Sequence, residues 1–423
     1  MTSLILFGSL TLFLLLSIPI GISIGLASLI TILYSNVIPL EFIVQGLVTS
    51  VDSFPLMAVP FFILAGEIMG KGGISERLFR VANSIVGNVT GGFAIATIFT
   101  CMFFAAISGS GPATVAAIGG IMIPAMVRQG YDIKFATALV AAAGSIGVII
   151  PPSIPMVIYG VTGSVSIGDM FIAGIIPGII IGFGLILYAY YYSKKKGYKG
   201  TGVKPTLKNF GKEVWSAKWA LLVPFIILGG IYGGIFTPTE AAVVAVIYGL
   251  IAGVFIYREL KFKEIPRVMI DAALTTATVL IIVGTATTFG RLLNLEQIPR
   301  KIADSLLTIS DNKFVIILLI LVLLLIVGCF METIASIIIL TPILLPIGIS
   351  LGYDPIHFGV LMITGLAIGF ITPPLGVNLF VGSGISGVSI EALSKAIFPF
   401  FLVMVLILVL ISFIPQISLF LVN

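Results

Sequence analysis

The chain has 423 residues, 59% hydrophobic and only 9% charged, with a mean hydropathy of +1.24; a soluble domain carries about 25% charged residues, so a water-soluble globule is excluded. The net charge of +5 sits largely in loops, without exposed aromatics interleaved on a soluble face, which fits membrane orientation and argues against a nucleic-acid partner. Two cysteines, Cys101 and Cys329, and one histidine, His357, supply neither a disulfide framework nor a metal cluster, and all three are expected to be structural.

Apolar runs of about 20 residues, long enough to span a bilayer, recur along the chain and predict a polytopic all-α membrane protein. The first, 4–33, lacks a basic leader and exceeds a signal peptide's apolar core, so it predicts a retained membrane helix. A second run covers 55–70, and a charged amphipathic segment follows at 75–86 with Glu76, Arg77 and Arg80, the pattern of an interfacial helix. Residues 92–128 are too many for one crossing and marginal for two, and the turn Ser108-Gly109-Ser110-Gly111-Pro112 lies midway. A re-entrant hairpin over about 92–130 is expected; two short helices joined by an external loop are the alternative. An apolar stretch over about 133–162 is broken at Pro151-Pro152, and a span near 170–192 closes the half. The basic stretch 194–218, with Lys194, Lys195, Lys196, Lys199, Lys204, Lys208, Lys212 and Lys218, reads as a cytoplasmic linker between halves 1–193 and 219–423.

The second half repeats the order. Apolar runs at 219–257 and 268–290 precede a charged segment at 296–307 with Arg300, Lys301 and Asp304. Then come a hairpin over about 314–352 with its turn near 328–333, a stretch over about 355–384 broken at Pro373-Pro374, and a span near 391–413. The two breaks lie 222 residues apart (373 − 151), and at that offset Ala113 meets Ala335, Pro124 meets Pro346, and Gly130-Tyr131-Asp132 meets Gly352-Tyr353-Asp354. Gly147 meets Gly369 and Gly160 meets Gly382; after a one-residue slip, Val165-Ser166-Ile167 matches Val388-Ser389-Ile390. Matches concentrated on glycine and proline, which set backbone shape, indicate duplication.

A broken helix leaves backbone groups that lipid cannot satisfy, so matching breaks in two repeats point to a transporter's central site. In the first centre, 108–114 would face 144–153; unpaired carbonyls and serine hydroxyls there form a neutral cage of hard oxygens suited to Na+. The half-helix start near Ser153 would present positive dipole to a carboxylate. In the second centre, 328–333 would face 365–374, with Asn378 one turn beyond the break, and Glu332 stands where the first centre has Ser110. An acid there binds a cation, carries a proton, bonds a polyol, or fixes the hairpin through hydrogen bonds. Glu67, Asp132, Lys134, Glu240 and Arg291 read as interfacial charges, with Thr237-Pro238-Thr239-Glu240 a loop and helix cap. A phosphate loop, an Asp-rich metal motif, a histidine pair and an aligned arginine run are absent from the sequence, which leaves transport driven by an ion gradient. A passive channel or scaffold, and a stand-alone divalent-anion/Na+ symporter, are the alternatives.

At these residues the chain resembles the large membrane subunit of the tripartite ATP-independent periplasmic (TRAP) transporters, the DctM-like proteins. The carrying features are 104–114, 147–153, 369–374, Thr237-Pro238-Thr239-Glu240-Ala241-Ala242, and Met331-Glu332 ahead of 340–346. The resemblance implies an elevator-type transporter with two inverted repeats and re-entrant hairpins, a transport domain of hairpins and broken helices, and a scaffold of the remaining helices. It implies a Na+-coupled importer of a small organic acid, such as sialic acid or another sugar acid or a C4-dicarboxylate, in the bacterial inner membrane, and not an enzyme. Implied partners are a separate small four-helix membrane subunit and a soluble periplasmic binding protein, beside the lipid bilayer. Implied Na+ ligands, about two sites, are Ser108, Ser110, Gly144, Val148 and Pro151, and Gly328, Gly365, Gly369 and Thr372. Ser108, Ser153 and Glu332 would lie close to substrate, and Asn378 is expected with them.

Overall fold

The computed structural model of the protein describes residues 2–35, 39–200, 206–302, 312–373 and 375–422. Pro374, Lys204 and the 303–307 part of the second amphipathic segment, Asp304 included, lie outside the described residues. Among the described residues all regular structure is helical, and nine helical segments are long and apolar enough to cross a membrane.

The run 4–33 forms two helices, α1 (Thr2–Leu15) and α2 (Ile20–Ser35), where the sequence predicted one. Pro19 explains the difference: it lacks an amide donor and disfavours helix at the residue before it, and Ser17 turns to φ +59°. Then come α3 (Glu41–Thr49), α4 (Ala58–Lys71) and the amphipathic α5 (Ile74–Val86). Next are α6 (Gly92–Ser108), α7 (Gly111–Arg128), α8 (Ile133–Ser145), α9 (Ile154–Thr162) and α10 (Ile167–Lys196).

The run 219–257 is also divided, between α11 (Leu207–Tyr232) and α12 (Pro238–Leu250). Gly234 takes φ +66° in the intervening turn. Thr237 and Glu240 then close a reciprocal capping box, with Glu240 accepting from Thr237 N at 2.8 Å and Thr237 Oγ1 accepting from Glu240 N at 3.3 Å. The remaining helices are α13 (Ile265–Leu295), α14 (Lys313–Phe330), α15 (Thr333–Ser350), α16 (Pro355–Gly369), α17 (Val377–Ser386), α18 (Ile390–Phe413) and α19 (Gln416–Leu419).

Local devices recur at the sequence offset. Gly130 and Gly352 take φ +85° and +86°, a region costly for residues with a Cβ. Asp132 then caps α8, accepting from Lys134 N and Phe135 N at 2.9 and 3.0 Å, and Asp354 caps α16, accepting from Ile356 N and His357 N at 2.8 and 3.1 Å. Each aspartate satisfies amides that a helix start leaves unpaired. Ser166 and Ser389 cap α10 and α18 in the same way.

Packing crosses between the halves. Helices α6 and α7 lie against each other and against α8, and α14 and α15 both pack on α16. Helix α17 of the second half, however, packs on α7 and α8, while α9 of the first packs on α15. Two polar bonds tie the halves together, one from α9 to the start of α16 and one from α17 to α8. Tyr159 of α9 donates to Pro355 O at 2.7 Å, and the Asn378 amide of α17 donates to Ala141 O at 3.1 Å. Outside this core, α4 packs on α6, α12 and α13, and α5 on α6 and α11. Arg77 of α5 pairs with Glu259 at 2.6 Å and covers the Tyr257 ring at 3.9 Å. His357 is buried with Nδ1 3.1 Å from Ser418 Oγ and its ring stacked on Tyr353, a packing role.

Replacing Asp132 or Asp354 by alanine is expected to lower stability by about 1 kcal/mol each. Thermal unfolding of the purified protein in detergent should show downward shifts of similar size for the two variants.

Candidate functional site

The first centre forms where the α6–α7 turn meets the break between α8 and α9. Helix α6 ends at Gly109 with φ +59°, and a Cβ there would lie 2.9 Å from Pro152 O and 3.2 Å from Ile154 N. Ile154 N also donates to Gly109 O at 3.4 Å, so the turn is seated directly on the broken backbone. Ser110 caps α7 by accepting from Ala113 N. Ser108 Oγ lies 2.9 Å from Thr114 Oγ1, which donates to Ser110 O at 2.8 Å. Opposite, a Cβ on Gly147 would come within 2.6 Å of Ser110 O and 2.7 Å of Thr114 Oγ1, so glycine alone permits this approach. Gly144 meets the tip similarly, its added Cβ lying 3.4 Å from Gly111 O. After α8 a single tight turn, Ile146–Val148, leads into non-helical residues 149–153, whose Pro151–Pro152 bond is cis. Ser153 Oγ donates to Val148 O at 2.6 Å.

The second centre repeats the plan with different chemistry. Met331 is extended between α14 and α15, and Glu332 caps α15, its carboxylate accepting from Ile334 N at 2.8 Å and Ala335 N at 3.3 Å. Ser336 Oγ donates back to Glu332 O at 2.9 Å, as Thr114 does to Ser110 O in the first centre. Ser110 and Glu332, paired by the sequence offset, thus hold the same capping position, and the second adds an exposed acidic group at a helix start that favours negative charge. A Cβ on Gly328 would lie 2.7 Å from Leu366 O, one on Gly369 would lie 2.8 Å from Gly328 O, and one on Gly365 3.0 Å from Leu324 Cβ. Gly328 and Gly369 therefore bring two backbones into contact, and Gly365 makes room for the Leu324 side chain. Cys329 Sγ donates to Thr372 O at 3.0 Å, and Thr372 Oγ1 donates to Ile368 O at 3.0 Å.

The chain gathers Ser108, Ser110, Gly144, Val148, Pro151 and Ser153 around the first break, and Gly328, Gly365, Gly369 and Thr372 around the second, with Glu332 at the second tip. Asn378 is placed differently: its side chain is fully buried against α8, bonded to Ala141 O and Ser145 Oγ, and takes no part in either tip's surface. Sequence reasoning placed Thr114 in the first centre's segment and expected Cys329 to be structural without assigning either to a site, and both bond oxygens of the centres. The signal for Thr114 is its place one helical turn after Ser110, mirrored by Ser336 after Glu332. Hydroxyl and carbonyl oxygens dominate the first centre, a donor set matched to a small hard cation. Among the described residues no group of three His, Cys, Asp or Glu side chains offers a transition-metal site. A cavity of about 240 Å³ separates α4 from the first hairpin, lined by Gly66, Glu67, Gly70, Lys71 and Ala113. Gly66 brings α4 to the tip itself, since its added Cβ would lie 3.3 Å from Ser108 Cα. Glu67, expected at an interface, faces this cavity.

Comparisons with known proteins agree with one another. The family described as "Tripartite ATP-independent periplasmic transporter, DctM component" matches residues 7–417. The isethionate TRAP transporter permease protein DctMQ of Oleidesulfovibrio alaskensis is 53% identical over 416 residues, covering 98% of this chain and 66% of that protein. The C4-dicarboxylate TRAP transporter large permease protein DctM of Pseudomonas aeruginosa is 40% identical, covering 95% and 94%. The sialic acid TRAP transporter large permease protein SiaM of Vibrio cholerae is 39% identical with the same coverage. The chain also resembles the solved YdaH transporter of Alcanivorax borkumensis, with TM-score 0.63, 18% identity and 90% coverage of each chain, a likeness of fold.

The glycine contacts yield a direct check. Gly147→Ala and Gly369→Ala force a methyl group into opposing backbone and should each destabilise by about 1–3 kcal/mol. Gly384→Ala, inside α17 with nothing within 4 Å of the added Cβ, should leave the thermal midpoint at or slightly above that of the parent.

Proposed function

We propose, from the premise that the chain belongs to the DctM component family of tripartite ATP-independent periplasmic transporters, that it uses a Na+ gradient to import a small organic acid. Family membership makes it the large membrane permease of such a transporter, a transport protein and not an enzyme, and a multi-pass protein of the bacterial inner membrane. The observation that carries the proposal is the pairing of each helix break with the end of a hairpin arm, Gly109 seated on the first break and Gly328 with Cys329 on the second.

In this reading the two halves are inverted repeats, and the hairpins over about 92–130 and 314–352 are re-entrant, their tips stopping inside the bilayer. With the broken helices they form a transport domain that moves as an elevator against the scaffold of remaining helices, and the basic linker is cytoplasmic. One Na+ binds among Ser108, Ser110, Gly144, Val148 and Pro151; a second binds among Gly328, Gly365, Gly369 and Thr372. Several of these oxygens already bond neighbours: Val148 O accepts from Ser153, and Thr372 O from Cys329. Cation binding would exchange these modest bonds for ion contacts. Ser108, Ser153 and Glu332 border the substrate. A small four-helix membrane subunit and a periplasmic binding protein complete the transporter. The relatives' names suggest the substrate class: C4-dicarboxylate, sialic acid and isethionate are all small organic anions.

In proteoliposomes holding the chain with its small subunit and binding protein, Ser108→Ala or Glu332→Ala should cut Na+-dependent uptake at least about tenfold, a loss near 1.4 kcal/mol, with unchanged expression. Full uptake in both variants would refute the site. Uptake without Na+ would favour a passive route, and uptake without the binding protein a stand-alone carrier.

A further inference from the structure

Asn378 stands in the first turn of α17, just past the second break, and is fully buried between the two centres. Its backbone N–H donates at 3.0 Å to Phe370 O, a carbonyl just beyond the end of α16. Its side-chain nitrogen lies 3.1 Å from Ala141 O and 3.0 Å from Ser145 Oγ, on α8 and next to Gly144 of the first centre. Ala141 O only accepts, so the nitrogen must face it, and this fixes the orientation of the amide. The other amide atom, Oδ1, is buried without a partner. Phe370 makes a second link, because a Cβ on Gly111 at the first tip would lie 3.0 Å from its ring. Phe370 and Asn378 therefore touch the first centre's elements from the second break.

We infer that Asn378 is a positioning residue that couples the two cation centres, so that occupancy of one changes affinity at the other. The inference rests on the Na+-driven reading above. Ordering the second break around an ion fixes Phe370, and the Asn378 N–H to Phe370 O bond fixes Asn378 with it. Through two buried side-chain hydrogen bonds, Asn378 fixes the end of α8 that carries Gly144. Hydrogen bonds in a low-dielectric interior are strong and their loss is costly, so the two ends move together or not at all. A coupling of this kind is reciprocal and typically changes affinity several-fold or more.

The test is the Na+ dependence of uptake by the complete transporter in proteoliposomes, compared among the parent, Asn378→Ala and Ser145→Ala. The parent should respond cooperatively. In Asn378→Ala the Hill coefficient should fall to about 1 and the half-saturating Na+ concentration should rise roughly tenfold. Ser145→Ala removes one of the two side-chain bonds and should give an intermediate result, and it carries the test if Asn378→Ala does not fold. A purely packing role would lower the thermal midpoint while leaving the Hill coefficient at the parent value, and that outcome overturns the inference alone. Parent uptake that ignores Na+ overturns the functional reading, and the coupling with it.

Discussion

A helix interrupted within an apolar core leaves peptide N–H and C=O groups that must find their partners inside the protein. Much of this protein's core follows from answering that problem twice. At each interruption the end of a hairpin arm is laid against the broken helix, closely enough that a Cβ is excluded at Gly109 and Gly147 in the first centre and at Gly328 and Gly369 in the second. Proline removes donors that would otherwise need acceptors, and serine, threonine and cysteine bond back to nearby carbonyls. The same oxygens, held by weak neighbours instead of a regular helix, are what a small alkali ion would require.

Much of this was legible in the sequence because the informative residues are those that set backbone shape. Gly130 and Gly352, Asp132 and Asp354, and Ser166 and Ser389 perform matching tasks at matching positions. The replacement of Ser110 by Glu332 also keeps its meaning, since both cap the returning arm of their hairpin. Other features were hidden for physical reasons. The run 4–33 is apolar throughout, so hydropathy cannot register the stop that Pro19 imposes on α1. The orientation of Asn378 depends on a partner more than 200 residues away, a contact that local pattern does not encode. The closeness of α4 to the first tip likewise depends on Gly66, whose value appears only when two helices meet.

The two centres share a plan and differ in chemistry. Backbone contacts and caps are kept, whereas side-chain chemistry differs. Hydroxyls of Ser108, Ser110 and Thr114 cluster at the first tip, while the second carries one carboxylate and a thiol bonded to Thr372 O. Shared geometry with unlike donors gives two sites of similar shape and different charge. That difference provides a physical basis for assigning unlike tasks to the two sites.

The exchange of α9 and α17 between halves also bears on biosynthesis. When the ribosome has finished the first half, α9 has been made but its packing partner α15 has not, and the Tyr159 hydroxyl has no Pro355 carbonyl to meet. Domains that emerge early usually fold as units, and here the first half cannot close its own core. Helix α9, apolar but for Tyr159 and Thr162, therefore stays without its partner until residues 333–355 have been made. The core closes only after most of the polypeptide has been synthesised.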